Sequence, residues 1–310
     1  MESVGEDILE HDVSDFHADE LSYHLQVPEQ ASDSRLTMYA KAIQTLPQPP
    51  ALWHAFQRAC NQEASSTQLA NIIKDDPVLS AAILRVANAP GLGVRTVITD
   101  IARAVSHLGI LLVRTIVSRH SFSGHLSHAK DVYDIHQLWK HGMAVAAFAE
   151  IVADEIPDCS RADASILGLF HDIGKMSMNL IAQYRQPAKL DISKGHLIYE
   201  YESFACTHID LGVLLAKHWE LPEKIIQGMI YHHHPAHSDT NAIPESIRAE
   251  VLAVYIADLM AIHLGFAAGD SGVCMPHPSF SNLLSTEKFL DMMQSEKVAH
   301  EIKRIESVVF

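Results

Sequence analysis

An all-α fold is predicted by three features of the sequence. From Arg35 onward the apolar residues recur at intervals of three and four, the period of a helix with one buried face. Proline and glycine punctuate the chain at Pro47, Pro49, Pro50, Pro77, Pro90, Gly91, Gly93, Gly124, Pro157, Pro187, Pro222, Pro235, Pro276 and Pro278. These breaks leave segments that suit helices of about 10 to 20 residues. The third feature is negative: alternating or β-branched runs bounded by turn pairs, which a sheet of any size requires, are missing.

In chain order, residues 1 to 34 form an acidic tail carrying ten carboxylates and no Lys or Arg. They account for most of the formal net charge of -15, so the other 276 residues carry only -5. A tail of this kind reads as flexible and solubilising, and its His11, His17 and His24 are not taken as ligands. The acidic balance argues against nonspecific nucleic-acid binding by the whole surface, because a phosphate backbone requires a positive footprint. Residues 35 to 125 make a first helical half. Within it Ile98, Ile101, Val105 and Leu108 mark one helical face, with Asp100 placed as a cap. A polar stretch from Ser121 to Lys130 separates it from a longer half over 126 to 270, and residues 271 to 310 read as a C-terminal helical extension of one or two amphipathic helices. No internal repeat is evident. With no run of about 18 uncharged apolar residues and an acidic amino terminus, a soluble, cytoplasmic protein with no membrane association is expected. The four cysteines, Cys60, Cys159, Cys206 and Cys274, are widely spread and read as reduced, buried thiols.

The chemistry lies in the second half, where seven residues form an ordered set: His141, His171, Asp172, His208, His232, His233 and Asp258. His141 shares a helical stripe with Leu138, Val145 and Phe148, so its imidazole should point inward. His171 and Asp172 end the apolar run ASILGLF, and a carboxylate delivered to so dry a place needs a cation or several donors. Asp258 is the one charged residue in VLAVYIADLMA, which leaves it little of a wet helix face; a buried cap or salt-bridge partner is the alternative. His208 opens another amphipathic helix with Leu215 on its side, while His218 and Trp219 read as packing or surface residues. In QGMIYHHHP, helix neighbours diverge by about 100 degrees, so the three histidines cannot all face one point; His232 and His233 are favoured and His234 falls outside. Imidazole and carboxylate ligands suit a divalent transition metal (Fe, Mn, Zn, Ni or Co), as one or two ions. In a catalytic site Asp172 would bridge two ions and Lys175 would contact a phosphate oxygen, unless Lys175 is simply solvated after the turn at Gly174.

Those residues resemble the HD superfamily of metal-dependent phosphohydrolases, whose pattern of a histidine, His-Asp and a distant aspartate matches His141, His171, Asp172 and Asp258. His208, His232 and His233 are similar to the extra histidines of the binuclear branch that includes the HD-GYP phosphodiesterases. A more specific resemblance, from Leu46 to about Gly265, is to the HDOD domain of bacterial signalling proteins. It is carried by LPQPP, IIKDDPVLSAAILRVANAP, TDIARAVSHLG, LLVRTIV and YESFACTHIDLGVLLAKHWELPEKIIQGMIYHHHP. That resemblance implies an HD-domain-like helical bundle preceded by a second packed helical subdomain, acting as a regulatory output with a protein partner in a signalling pathway. The HD resemblance implies the alternative, a metal-dependent phosphohydrolase with a nucleotide or phosphodiester ligand. Many HDOD domains are degenerate at the metal positions, whereas this sequence keeps all of them. HHHPAHSDT lacks the DGxGYP-like stretch of cyclic di-GMP phosphodiesterases, and no receiver, GGDEF, EAL or DNA-binding module fits in the remaining sequence.

Overall fold

A computed structural model of the chain describes residues 31–46, 49–94, 96–122, 132–181, 195–268, 278–280 and 285–307. The acidic segment up to residue 30, the polar boundary over 123–130 and Cys274 lie outside the described residues. Within them the chain is helical, without a strand. Five helices precede the boundary: α1 (Asp33–Ile43), α2 (Ala51–Asn61), α3 (Ser66–Ile73), α4 (Pro77–Ala87) and α5 (Ile101–Phe122). Seven follow it: α6 (Ile135–Ala153), α7 (Arg161–Phe170), α8 (Ile173–Ile181), α9 (His196–Phe204), α10 (His208–His218), α11 (Glu223–Tyr231) and α12 (Glu245–His263). The C-terminal stretch adds α13 (Thr286–Met293) and α14 (Glu296–Ser307).

Short polar side chains start these helices by accepting from backbone N–H groups that have no partner in the first turn. Ser65 and Gln68 close a capping box on α3, and Thr207 and Asp210 close another on α10. Asp134 Oδ1 accepts from His136 N and Gln137 N ahead of α6. Asp76 Oδ1 accepts from Val78 N and Leu79 N, both at 2.9 Å, with Pro77 as the first helical residue of α4. Its other oxygen lies 2.8 Å from His120 Nε2 near the end of α5. The backbone N–H bond from Leu79 above all, with His120 and Val78, holds the Asp76 carboxyl below its ordinary value of 3.8 against the opposing effect of burial. A carboxylate with a depressed folded pKa stabilises the fold above its unfolded pKa, and that contribution is lost as pH falls through the folded value. Asp76→Ala should therefore cost about 1 kcal/mol at neutral pH. Urea melts of wild type and variant should converge as pH falls below about 4.

Among the described residues one apolar core runs from Ala31 to Ile305 and takes side chains from both helical halves and the C-terminal helices. Its centre is α6, buried nearly all round rather than along one stripe, because α7, α12, α14 and α5 all pack on it. The α6–α7 crossing is close: a Cβ at Gly142 would lie 2.8 Å from the Leu169 carbonyl, and one at Gly168 would lie 3.0 Å from Ala146 N. Long-range bonds tie α1, α2 and the Leu46 turn to later helices. Tyr39 Oη donates to the Phe204 carbonyl at 2.6 Å, Trp53 Nε1 donates to Ser118 Oγ at 3.2 Å, and His218 Nε2 donates to the Leu46 carbonyl at 2.8 Å. His218 and the fully buried Trp219 are thus packing residues.

Ile98, Ile101, Val105 and Leu108 are all buried, and Asp100 Oδ1 accepts from Arg103 N at 2.8 Å, as the pattern predicts. The periodicity does not reveal that α5 is broken at Gly109, with φ 74 and ψ 162, a conformation open to glycine. Ile101–Ser121 has the length and apolar composition of a membrane span, yet most of it is buried in this core. The thiols depart from expectation: among the described cysteines Cys206 alone is fully buried, while Cys60 and Cys159 are half-buried. Cys60 and Cys159 sit at the rim of the packed helices, where one side of each meets solvent.

Candidate metal centre

The seven sequence-selected residues meet at one place. His141 comes from the middle of α6. His171 caps the C-terminus of α7 and Asp172 fills the turn before α8, so the His-Asp pair sits at a joint between two helices. His208 begins α10, Asp258 lies on α12, and His232 and His233 follow the end of α11. The joint at α11 answers the objection that consecutive helical residues diverge. The helix stops at Tyr231, and the two rings come to 3.9 Å between centroids. His234 turns away, packed in tilted contact with Tyr231 and His237.

Asp172 divides the cluster. Its Oδ2 lies 3.5 Å from His141 Nε2 and 3.4 Å from His171 Nε2. Its Oδ1 lies 3.3 Å from His208 Nε2 and 3.8 Å from His232 Nε2. Asp258 Oδ1 joins the first side, 3.2 Å from His141 Nε2, and His233 Nε2 joins the second, 3.1 Å from His208 Nε2. The ligand atoms of His141, His171 and Asp172 lie within 4.8 Å of one another, and so do those of Asp172, His208, His232 and His233.

Four imidazoles are held by their far nitrogen. His141 Nδ1 donates to the Phe266 carbonyl, His171 Nδ1 to Gly168, His232 Nδ1 to Met229 and His208 Nδ1 to Glu200, at 2.9, 2.7, 2.7 and 2.8 Å. With the ring proton so engaged, each Nε2 presents a lone pair. These lone pairs face each other: His141 and His171 Nε2 are 3.3 Å apart, and so are His208 and His232 Nε2. Two buried carboxylate oxygens among them, Asp172 Oδ1 and Asp258 Oδ1, receive no hydrogen bond. Facing lone pairs and orphaned anionic oxygens repel unless a cation lies between them, so the donor set fits divalent transition metal on both sides of Asp172. His141, His171, Asp172 and Asp258 could hold one ion, and Asp172, His208, His232 and His233 a second.

The titration behaviour points the same way. Burial opposes a charge on His141, but Asp172 and Asp258 outweigh it and push the imidazole up to about 10. Burial also opposes ionisation of Asp172, yet His171 and Lys175 hold its carboxyl well below the usual range. Burial and the neighbouring imidazoles hold His232 and His233 well below the ordinary histidine value, so neither takes a proton. For His141 the folded pKa is raised, so in chelator-treated protein the stability it contributes is complete below about 6.5 and is lost as pH rises toward about 10. Metal and proton compete for Nε2, so metal affinity should change in the opposite sense and rise over the same interval. Thermal melts against pH, with and without added Mn²⁺, check both slopes.

Lys175 is not the solvated lysine that its position after a glycine permits. It is fully buried, with Nζ 2.6 Å from Asp172 Oδ2 and 5.9 Å from the centroid of the Tyr133 ring.

Two residues that motif reading passes over also build the centre. Glu200, fully buried on α9, accepts from His208 N at 2.8 Å, from His208 Nδ1 at 2.8 Å and, through its other oxygen, from Tyr133 Oη at 2.8 Å. His196, one helical turn earlier on the same face, brings Nε2 to 3.3 Å from His233 Nε2. The signal was present as a histidine and a glutamate four apart in HLIYE, but without the fold nothing connects that face to His208. Glu200→Gln keeps the volume and removes the anionic acceptor for His208 Nδ1–H. It should weaken metal binding on the His208 side by about 10- to 100-fold, read by competitive titration with a chelating dye.

The model of the HDOD domain matches residues 46–235, well over half of the sequence. The chain belongs to the HDOD family. Among solved structures, this HDOD chain is similar to an HDOD domain protein of Geobacter sulfurreducens, with TM-score 0.60 and 23% identity, covering 84% of this chain and 88% of that one. It is also similar to a protein of Marinobacter aquaeolei VT8 named for signal transduction, with TM-score 0.64, 19% identity and coverage of 89% and 63%. A third, from Shewanella amazonensis SB2B and named as a phosphohydrolase, gives TM-score 0.59, 19% identity and coverage of 89% and 98%. At these identities the likeness is one of fold. An uncharacterized protein of Treponema pallidum (strain Nichols) is 25% identical over 228 residues, 71% of this chain and 43% of its own length. The HDOD chain thus spans less than half the length of that relative.

Proposed function

We propose that this HDOD chain is a cytoplasmic bacterial signalling protein whose cluster works as a metal-dependent phosphohydrolase centre on a nucleotide or phosphodiester. The observation that carries the reading is the division of Asp172 between two sets of imidazoles whose Nδ1–H groups are engaged elsewhere. Divalent ions held there supply Lewis-acid polarisation of a phosphate ester. The protein's own part is to fix four rings through their Nδ1–H groups with Nε2 aimed inward, and to keep Asp172 ionised through His171 and Lys175. Contact between Lys175 and a phosphate oxygen requires the ammonium to leave Asp172. Asp258, Asp172 and His233, 9%, 6% and 6% exposed, form the edge of the cluster that reaches solvent, and a substrate approaches there. Nothing after His234 matches the DGxGYP-like stretch, so cyclic di-GMP is not the favoured substrate.

A second reading has its own support in the depth of the cluster: His141, His171, His208 and His232 are all at least 98% buried. Metal held so deeply suits a closed structural site in a module that signals by binding a protein partner. Elemental mass spectrometry of untagged protein, with hydrolysis of bis(4-nitrophenyl) phosphate and a nucleotide panel, separates the two. One or two ions per chain with metal-dependent turnover supports the enzyme. A loaded protein inert on every substrate supports the partner-binding module. Protein that is metal-free after growth in iron- and manganese-supplemented medium overturns both metal readings.

A further inference from the structure

A second polar site lies away from the His/Asp cluster, where α2, α3 and α5 meet α6 and α7. A cleft of about 370 Å³ opens there, within the size range of small-molecule sites, and Arg114 lines it. Arg114 is 7% exposed and its Nε is buried without an acceptor. Among the described residues no carboxylate comes within ion-pair distance of it: Glu63 and Glu150 line the same cleft, and the thiol of Cys60 beside Arg114 is held neutral by burial. A guanidinium cannot shed its proton, so a buried Nε–H with no acceptor is costly and calls for a ligand that accepts from it.

Three other cations near the cleft already have partners. A neighbouring cleft of about 630 Å³ shares Gly109, Ile110 and Glu150 with the first. There Arg304 is bound to Glu301 and the Leu108 carbonyl, and Arg161 and Lys297 are both bound to Asp154. Beside Arg114, α5 restarts after the break at Gly109, so the N–H groups of its first new turn have no helical acceptor and favour negative charge. Glu150 faces the same space. Burial raises its carboxyl above the usual range, against the pull of the nearby Arg161 and Arg114.

We propose that this cleft binds a small molecule bearing a phosphate or carboxylate group, which Arg114 takes in a forked contact while Glu150 bonds a polar group on the same ligand. Such a ligand would touch α6, which carries His141, and α7, which leads into His171.

The test is titration calorimetry of the purified protein with inorganic phosphate, citrate and AMP, repeated on Arg114→Gln and Ser106→Trp. Ser106 is exposed on the rim, so tryptophan there obstructs the cleft without touching its buried side chains. At least one probe should bind with one-to-one stoichiometry and lose at least tenfold in affinity in both variants, at unchanged metal content and helicity. If Arg114→Gln fails to fold, Ser106→Trp alone decides. Binding that survives both variants belongs to the His/Asp cluster and overturns the proposal, and so does the failure of all three probes to bind the wild type.

Discussion

Asp172→Ala is expected to strip metal from both sides of the cluster at once. Its two oxygens are divided between the His141/His171 pair and the His208/His232 pair, so one substitution removes a ligand from each. Losing His141 or His208 alone leaves the opposite set whole. The change also leaves Lys175, fully buried and 2.6 Å from Asp172 Oδ2, without its anion. Breaking a buried ion pair on one side costs about 3–5 kcal/mol. The loss of stability should therefore exceed what metal loss alone produces, and a chelator should destabilise the wild type but not the variant. Elemental mass spectrometry and urea melts in the presence and absence of chelator check this. A variant that keeps its full metal complement would show that Asp172 is not a ligand on either side.

Gly174→Ala is the second change with a large expected effect. A Cβ at Gly174 would collide with the His208 carbonyl and lie 2.7 Å from Gly212 N. Both obstacles are backbone, so no side chain can turn aside to make room, and α8 and α10 must separate. Overpacking of this kind costs roughly 1–3 kcal/mol, and more where backbone has to move. The two helices carry the two sides of the centre: Asp172 stands at the head of α8 and His208 at the head of α10. The variant should fold with a lowered melting temperature. It should lose the ion held by His208, His232 and His233 while keeping the one held by His141, His171 and Asp258. A drop from two ions to one per chain is the readout; retention of both would mean that the α8–α10 seam does not set the geometry.

Gly174 shows how much of the site could be read before the fold was known. HDIGK was legible as a ligand pair followed by a turn, and the glycine looked like a turn residue. Its role as the point where α10 rests on α8 depends on a neighbour 34 positions away in His208, which no local pattern encodes. The consecutive histidines are a similar case. Helical geometry correctly forbids three of them from facing one point, but the stop of α11 at Tyr231 is what lets His232 and His233 converge.

The amino-acid sequence by itself determined the helical class and the identity of the residues in the cluster. Both follow from local physics: the 3.6-residue period selects which side of each helix avoids water, and a carboxylate or imidazole on that side stands out against its apolar neighbours. The tertiary structure alone decided what each buried face meets. It gave Asp172 one set of imidazoles for each oxygen, placed Glu200 behind His208, paired Lys175 inward, and left Arg114 lining a cleft with its Nε unbonded among the described residues. Periodicity tells a side chain to leave solvent but carries no information about its partner, because that partner comes from a helix whose approach is set by close packing elsewhere in the chain.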